Sequence, residues 1–403
     1  MSNLPQGWEV KTLSEIGEII TGSTPSKSNV EFYGKDYPFF KPSDFEQGYF
    51  LENAGDNLSK LGFGKARQLP PKTILVVCIG SLGKVALTRV IGSCNQQINA
   101  IIPHKNIISE YIYYYCISSK FQSILFSKAP QTTLAIFNKT EFSKLEIIYP
   151  KDIKEQERIV GILDESFAKI DESIKILEQD LLNLDELMQS ALQKAFNPLN
   201  DNTKENYQLP QSWEWKSLGD TSNYGKTSQV KPSQLKGNDW ILELEDIEKE
   251  SGVLLQKVLF QDRQSKSNKI KFNKGDILFG TLRPYLKKVI IADDNGACSS
   301  EIMPFSTGNS ITNHFIYYYL FANFLHDRIS SLTYGARMPR LGTKDGKSLQ
   351  IPLPPLQEQE QIAKHLDFVF EKAKALKELY TKELKDYEEL KQSLLDKAFK
   401  GNL

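Results

Sequence analysis

ILDESFAKIDESIKILEQDLLNLDELMQSALQKAF, residues 162–196, sets Leu163, Phe167, Ile170, Ile174, Leu177, Leu181, Leu184, Met188, Ala191 and Ala195 at alternating steps of four and three. Those steps keep apolar side chains on one stripe of an α-helix. Sustained over more than four heptads, they are the pattern of a coiled coil. A helix of about 40 residues would run roughly 60 Å at 1.5 Å per residue. Its stripe stays wet unless something covers it. The covering candidate lies at the end of the chain, where LMQSALQKAF (187–196) returns as LKQSLLDKAF (390–399). The equivalent seam there is Leu366, Phe370, Ala373, Lys377, Tyr380, Leu384, Tyr387, Lys391, Leu394 and Ala398. Lys377 and Lys391 interrupt it, and Leu376, Leu379 and Leu390 stand beside it, so a tilted or rotated contact would use those leucines. Each large side chain buried contributes about 1.5–3 kcal/mol. Antiparallel pairing of the two seams therefore outweighs the charge pattern on their flanks. The alternative is that each helix folds back on its own domain.

The repeat extends outward over nearly the whole chain. LPQGWEVKTL (4–13) returns as LPQSWEWKSL (209–218), an offset of 205, and IYYY (112–115) returns at 316–319, an offset of 204. EQE (155–157) returns at 358–360, and the AF endings are Phe196 and Phe399, both at an offset of 203. A tandem copy naturally makes two similar surfaces related by a pseudo-twofold axis, which suits a target in two parts.

Four segments follow. Mixed regions over 1–150 and 207–354 are each followed by a long helix, over 151–200 and 355–403. The mixed regions carry strand-like runs such as KTILVVCI (72–79), GDILFGTL (275–282) and KKVIIAD (287–293), rich in branched residues and bounded by Gly, Pro or Asn. EYIYYYCISSKFQSILF (110–126) and NHFIYYYLFANFLHDRI (313–329) read as amphipathic helices whose aromatics belong to a core. The fold class is α+β: two mixed α/β domains separated by two long helices that form an antiparallel coiled coil. Asp152-x-x-Glu155 resembles a capping box before the first helix, and Pro354-Pro355 favours the start of the second. A short polar linker, residues 197–208, joins the copies.

At 403 residues the chain is long enough for two or more cores, and 40% hydrophobic with 25% charged residues is ordinary for a globular protein. The longest apolar run, residues 74–79, is far short of the roughly 20 needed to cross a bilayer, and no signal peptide is visible. Four cysteines without a CxxC pair fit a reduced, cytoplasmic protein and give no zinc site. The net charge of zero conceals segregation. Residues 57–140 hold ten Lys or Arg against one acid, and 262–288 hold eight against two, whereas 151–200 hold six against eleven. Basic globular parts beside an acidic helix favour a polyanion binder.

Catalytic constellations are weak throughout. GTKDGKS (342–348) has three residues between its glycines where a phosphate loop needs four, and reads as a surface turn. Gly80-x-x-Gly83-Lys84 follows a strand and offers backbone N–H groups to a phosphate, or is only a hairpin. Glu9-x-Lys11 and Glu214-x-Lys216 match the tail of a nuclease motif, but no suitably placed acid precedes either and both sit in repeated W-E-x-K contexts. The four histidines lack partners at metal spacing, and no G-x-S-x-G elbow is present. A binding protein is favoured over an enzyme.

These residues carry a family resemblance. The chain resembles the specificity subunit of a type I restriction-modification system. The points of match are LPQGWE and LPQSWE opening each copy, IPLPPLQEQEQIAKHLD (351–367), its partner EQERIVGILD (155–164), and the AF endings. Copy one has YPKDIKEQ (149–156) in place of the double proline. The resemblance covers essentially the full chain. It implies two target recognition domains, each reading half of a bipartite sequence on double-stranded DNA, with the paired helices fixing the gap between half-sites. It also implies that the helices dock two methyltransferase subunits carrying S-adenosylmethionine, and that separate motor-nuclease subunits do the cutting. This chain would hold no catalytic residue, cofactor or metal of its own.

Lys and Arg would supply affinity through phosphates, while Arg and Lys read guanine edges and Asn and Gln read adenine. In the first domain the candidates are Lys65, Arg67, Lys84 and Arg89 for positioning, with Gln96, Gln97 and Asn99 for reading. In the second they are Arg263, Lys266, Arg283, Lys287, Lys288, Arg337 and Arg340. The helix-pairing residues expected are Leu163, Phe167, Ile170, Ile174, Leu177, Leu181 and Leu184 against Leu366, Phe370, Leu384, Tyr387 and Leu394. GSLGKVAL against RPYLKKVI makes the half-sites unlike, hence an asymmetric target. The competing reading is a coiled-coil scaffold for protein interactions without sequence-specific DNA binding.

Overall fold

The structure, a computed structural model, describes residues 4–128, 136–201, 207–263 and 265–403. It divides into two compact units: Met1–Leu177 with Thr381–Leu403, and Glu178–Tyr380. Part of the expected linker lies outside the described residues.

In the first unit, β1 (Trp8–Thr12), β2 (Gly17–Thr21), β3 (Phe50–Leu51), β4 (Ile74–Val77), β5 (Val85–Thr88), β6 (Ile98–Pro103), α1 (Ser109–Ile117), β7 (Glu146–Pro150) and α2 (Ile153–Phe196) come in that order, with further elements between them. A five-stranded sheet runs β2-β6-β4-β5-β3. Its central strand, β4, is the uninterrupted run ILVV, and all four residues are buried. A strand covered on both faces needs no polar alternation. β1 pairs antiparallel with β7, Trp8 opposite Pro150. The opening W-E-x-K motif is thus stitched to the strand that leads directly into α2.

The second unit repeats this plan with β8 (Glu214–Ser217), β9 (Ile277–Gly280), β10 (Val289–Ile291), β11 (Ile302–Phe305), α3 (Asn313–Tyr319), β12 (Gln350–Leu353) and α4 (Leu356–Ala398). β9 lies between β10 and β11, and β8 pairs antiparallel with β12. The aromatic segments expected as single helices are each broken in two. Residues 109–128 divide at Ser118, whose hydroxyl donates to Tyr115 O at 2.6 Å and whose backbone is extended. Residues 313–332 divide before Ala322, which is also extended.

The repeated motifs turn out to be joints between domain and helix. Gln156, the centre of EQE, is fully buried. It accepts from Ile108 N at 2.9 Å and donates to Pro150 O at 2.9 Å and Asn106 O at 3.3 Å. Gln359 makes the same three bonds, with Thr312 N, Pro354 O and Ser310 O. The IYYY tyrosines do likewise: Tyr114 donates to Asp164 at 2.6 Å, and Tyr318 to Asp367 at 2.5 Å. Phe399, at the end of α4, packs edge-on against Tyr111 and Tyr115 in the first unit. Phe196, at the end of α2, packs against Phe315 and Tyr319 in the second. Each domain core is therefore finished by the far end of the other copy's helix.

Within each unit the two long helices run antiparallel. In the first, Asp171 pairs with Lys391 at 2.7 Å while Arg158 donates to Leu403 O at 2.9 Å. In the second, Asp185 pairs with Lys377, and Leu192 and Phe196 share a core with Leu366. Leu163, Ile170, Leu177 and Leu184 are buried at seven-residue intervals, with Phe167, Ile174 and Leu181 half-buried between them. Towards its end α2 buries Leu192 and Phe196 rather than Ala191 and Ala195, because the stripe turns from the partner helix to the domain core. On α4, Leu366 and Ala373 are buried, while Phe370, Leu384, Tyr387 and Leu394 are half-buried. The expected substitution of neighbouring leucines for the seam lysines does not occur. Leu376, Leu379 and Leu390 are 38%, 55% and 45% exposed. The lysines stay in the seam instead, because an acid on α2 meets each one.

Candidate nucleic-acid interface

β4 and β5, and equally β9 and β10, are joined by a tight turn, and the two turns are built on one frame. Val77 N bonds to Lys84 O at 2.9 Å in the first unit, and Gly280 N to Lys288 O at 2.9 Å in the second. Beyond the strand end, Ile79 bridges Ile136, as Leu282 bridges Arg340. Cys78 N reaches Gln97 O at 2.7 Å, as Thr281 N reaches Glu301 O at 2.8 Å. These bonds align Gly80 with Arg283, Gly83 with Lys287, Lys84 with Lys288 and Gln97 with Glu301. A second loop matches as well. Asp44 accepts from Lys41 N at 2.7 Å, and Asp246 accepts from Glu243 N at 2.8 Å.

The left-handed backbone sites coincide in the two turns. Gly80 and Gly83 have φ of 83° and 90°; Arg283 and Lys287 have 49° and 45°. Glycine adopts such angles freely, whereas other residues do so at a cost of about 1–3 kcal/mol. Arg283 also precedes Pro284, which narrows its backbone further.

The turn of the second unit borders a cleft of about 510 Å³, lined among others by Glu243, Arg263, Arg283, Lys288, Glu301 and Met338. Arg283 is exposed, and its backbone N donates to Pro339 O at 2.7 Å. That bond and the bridge at Leu282 bring Arg283 and Arg340 to one place, with the exposed Arg337 on the same strand approach. Three other candidates of this unit are spoken for by the fold. Arg263 is held by buried Asp246 at 2.6 Å and by Glu245 at 2.9 Å. Lys288 donates to Leu244 O at 2.7 Å. Lys287 is only 6% exposed and is bonded to Asn323; burial pushes its ammonium pKa down. Lys266 is exposed.

In the first unit Lys65 and Arg67 are exposed, and Arg67 borders a cleft of about 690 Å³ while donating to Thr21 O. Lys84 is paired with Glu46. Arg89 is paired with Glu52 at 2.9 Å and lies over the Phe50 ring at 3.7 Å. Of the proposed readers, Gln96 is exposed and accepts from Thr24 at 2.5 Å. Gln97 is half-buried and braces the turn through Ile79 O at 3.3 Å. Asn99 is 2% exposed and accepts from Thr21 at 2.7 Å, so it holds β6 to β2. The loops also bring in Glu301 and Met338, which carry no sequence signal because only folding sets them beside Arg283.

The weak catalytic motifs receive structural explanations. Glu9 accepts from the Tyr149 hydroxyl, which holds its carboxyl below the usual range, with Lys11 and Lys151 beside it. Residues 342–348 form no surface turn but a short helix, Thr343–Lys347, in which a Cβ on Gly346 would lie 2.4 Å from the Tyr224 hydroxyl. That glycine serves packing.

The sequence matches the type I restriction modification DNA specificity domain twice, over residues 5–181 and 210–385. The chain belongs to that family. Two DNA specificity domains in one polypeptide make it a DNA-recognition subunit of the type I restriction-modification class. It is 39% identical over 186 residues to the HindI specificity subunit of Haemophilus influenzae, a stretch covering 44% of this chain and 40% of that protein. Against the EcoDI specificity subunit of Escherichia coli it is 23% identical over 423 aligned residues, covering 99% of this chain and 89% of that protein. A solved chain from work on complex assembly and conformational transition of the type I R-M system has the same fold, with a TM-score of 0.80 at 18% identity over the full length of both chains. The HsdS subunit of Thermoanaerobacter tengcongensis matches at 0.56 and 20% identity, over 99% of this chain and 98% of that one. Each specificity domain is one matched repeat, and the turns described above fall inside them.

Proposed function

We propose that this chain reads an asymmetric, bipartite duplex target, one half-site per unit, and does no chemistry itself. The observation that carries this reading is the pair of turns: one hydrogen-bonded frame presents Gly80, Gln97 and Lys41 in one unit and Arg283, Glu301 and Glu243 in the other. Different side chains on the same frame read different bases. The working protein is a cytoplasmic complex with two methyltransferase subunits that dock on α2 and α4, supply S-adenosylmethionine and modify the site. A motor-nuclease subunit joins through them. Docking is supported by large apolar side chains left in water on otherwise polar helices, among them Leu182 at 59% and Leu187 at 55% on α2 and Phe368 at 60% and Leu379 at 55% on α4.

The test is a gel-shift series on the full chain with duplexes drawn from a randomised library, repeated from about 50 to 200 mM salt. The expected result is selection of two separated, unlike sequence blocks, with affinity falling steeply as salt rises, about 10³-fold or more if six or more phosphates are contacted. Binding indifferent to both sequence and salt would reject the reading and favour the protein scaffold.

A further inference from the structure

We propose that Arg283 is a base-reading, specificity-determining residue of the second unit, and that it reads a guanine. This rests on the DNA-recognition reading above and assigns its chemistry to one side chain.

Three observations converge on it. The first is backbone. The turn needs left-handed residues at both ends, and the first unit fills both with glycine, as sterics favour. The second unit places arginine at one end, immediately before a proline. Its other exception, Lys287, has a structural reason: the side chain is buried and bonded to Asn323. Arg283 has none of that kind. Its side chain is exposed and has no hydrogen bond or ion pair among the described residues. An unfavourable backbone site that holds a large side chain serving no packing role is a feature of functional positions.

The second is company. Arg283 borders the cleft together with Glu243, Glu245 and Glu301. Glu243 is neutralised by Lys269 at 2.6 Å and Glu245 by Arg263 at 2.9 Å, whereas Glu301 has no such partner among the described residues. Carboxylates repel phosphates, so this is a poor seat for a backbone clamp. They suit a base edge: a guanidinium donates to guanine O6 and N7, and a carboxylate accepts from the cytosine amino group. Arg283 with Glu301 beside it fits one G·C pair.

The third is rigidity. The first arm of the turn is tied twice to residues 339–341, by Arg283 N to Pro339 O at 2.7 Å and by Leu341 N to Thr281 O at 2.9 Å. A reader held on a fixed frame discriminates bases better than one on a free loop.

The two units also supply the variants. Arg283→Gly copies the first unit's solution and relieves the backbone, so the thermal midpoint should hold or rise. The experiment measures binding of the full wild-type chain, R283G and R283K to a randomised duplex library, with sequencing of the bound fraction. R283G should lose preference for G·C at a single position of one half-site by roughly tenfold to a hundredfold, the worth of one good bidentate contact. The preference at every other position should stay as in the wild type, while affinity for any duplex falls modestly with the lost charge. R283K keeps the charge but not the fork, and a lysine still donates to guanine, so it should weaken the preference at that same position without abolishing it. A uniform drop across all sequences with R283G that leaves the G·C preference intact would make Arg283 a phosphate contact and overturn the assignment. An unchanged selected sequence in R283G would overturn it too. A wild-type chain that selects no sequence would overturn the whole recognition reading, and so is told apart from failure of this residue alone.

Discussion

Two kinds of position in the repeat behave in opposite ways. Gln156 and Gln359 make the same three bonds in fully buried sites, and Phe399 and Phe196 enter the same aromatic pocket of their respective units. The turns at 80–83 and 283–287 share a backbone frame and almost none of their side chains. Identity between copies thus marks the joints that hold a domain to a helix. Difference between copies, on an unchanged frame, marks the surface proposed to select a target. The seams add a third case, because α2 is apolar where α4 carries Lys377 and Lys391, each met by an aspartate on α2. The acid and base belong to different copies, so the apolar stripe does not have to be the same in both.

The largest effect should come from breaking a joint. Phe196→Ala should cost about 3–5 kcal/mol, as truncating a packed aromatic does. Hydrogen exchange should locate the loss in the second unit, although Phe196 ends the helix that begins beside the first. Phe399→Ala should open the first unit in the same way. Exchange rising in the opposite unit would contradict the crossed packing.

A smaller contrast concerns acid. His326 and Gln122 are equivalent: His326 Nε2 meets Leu320 O at 2.6 Å, and Gln122 Nε2 donates to Cys116 O at 2.6 Å. Burial pushes the His326 pKa down to about 4, from an ordinary value near 6.5. Below about pH 6.5 the unfolded chain takes the proton and the folded one does not. Stability of the second unit is therefore full above that pH and falls towards pH 4, by at most about 3 kcal/mol. The first unit has no such group at this site. Urea unfolding between pH 7 and 4 should show the fall, and His326→Gln should remove it. A pH profile unchanged in the variant would place the acid sensitivity elsewhere.

Removing a buried latch should cost less. Gln359→Leu strands Thr312 N and two carbonyls, with an expected loss of roughly 1–3 kcal/mol in the second unit's free energy of unfolding. Gln156→Leu should match it in the first. A large inequality between the two would show that the joints are not equivalent.

The smallest effect belongs to the seam lysines. Lys377→Leu and Lys391→Leu each trade a partly exposed ion pair for apolar contact and should change stability by less than about 1 kcal/mol, in either direction. The informative measurement is oligomeric state by light scattering. Two lysines in α4 disfavour pairing of α4 with a second α4, and the double variant should weaken that bar.

Much of this protein is written in the order of its residues. Offsets near 204 declare the tandem, and heptad spacing at Leu163, Ile170, Leu177 and Leu184 gives the long helix and its buried stripe. Such signals are local and periodic, so one strand of sequence carries them. The reading of the second seam failed at Leu376, Leu379 and Leu390 because an interrupted stripe looks alike whether it rotates or recruits an acid; only Asp171 and Asp185, some 200 residues away in the chain, distinguish the two. Charge counting drew up the basic candidates but could not separate Arg283, whose side chain has no partner among the described residues, from Arg263 and Lys287, which the fold uses. Asn99 looked like a reader and is a strand tie.

Sequence alone determined that the chain is a double copy, that each copy ends in a paired helix, and which family it resembles, since repetition, period and motif survive without coordinates. Folding alone decided that each domain is completed by the other copy's helix, and that a glycine in one turn stands where an arginine stands in the other. Those facts depend on which distant backbone amides and carbonyls meet, and one-dimensional spacing holds no record of that.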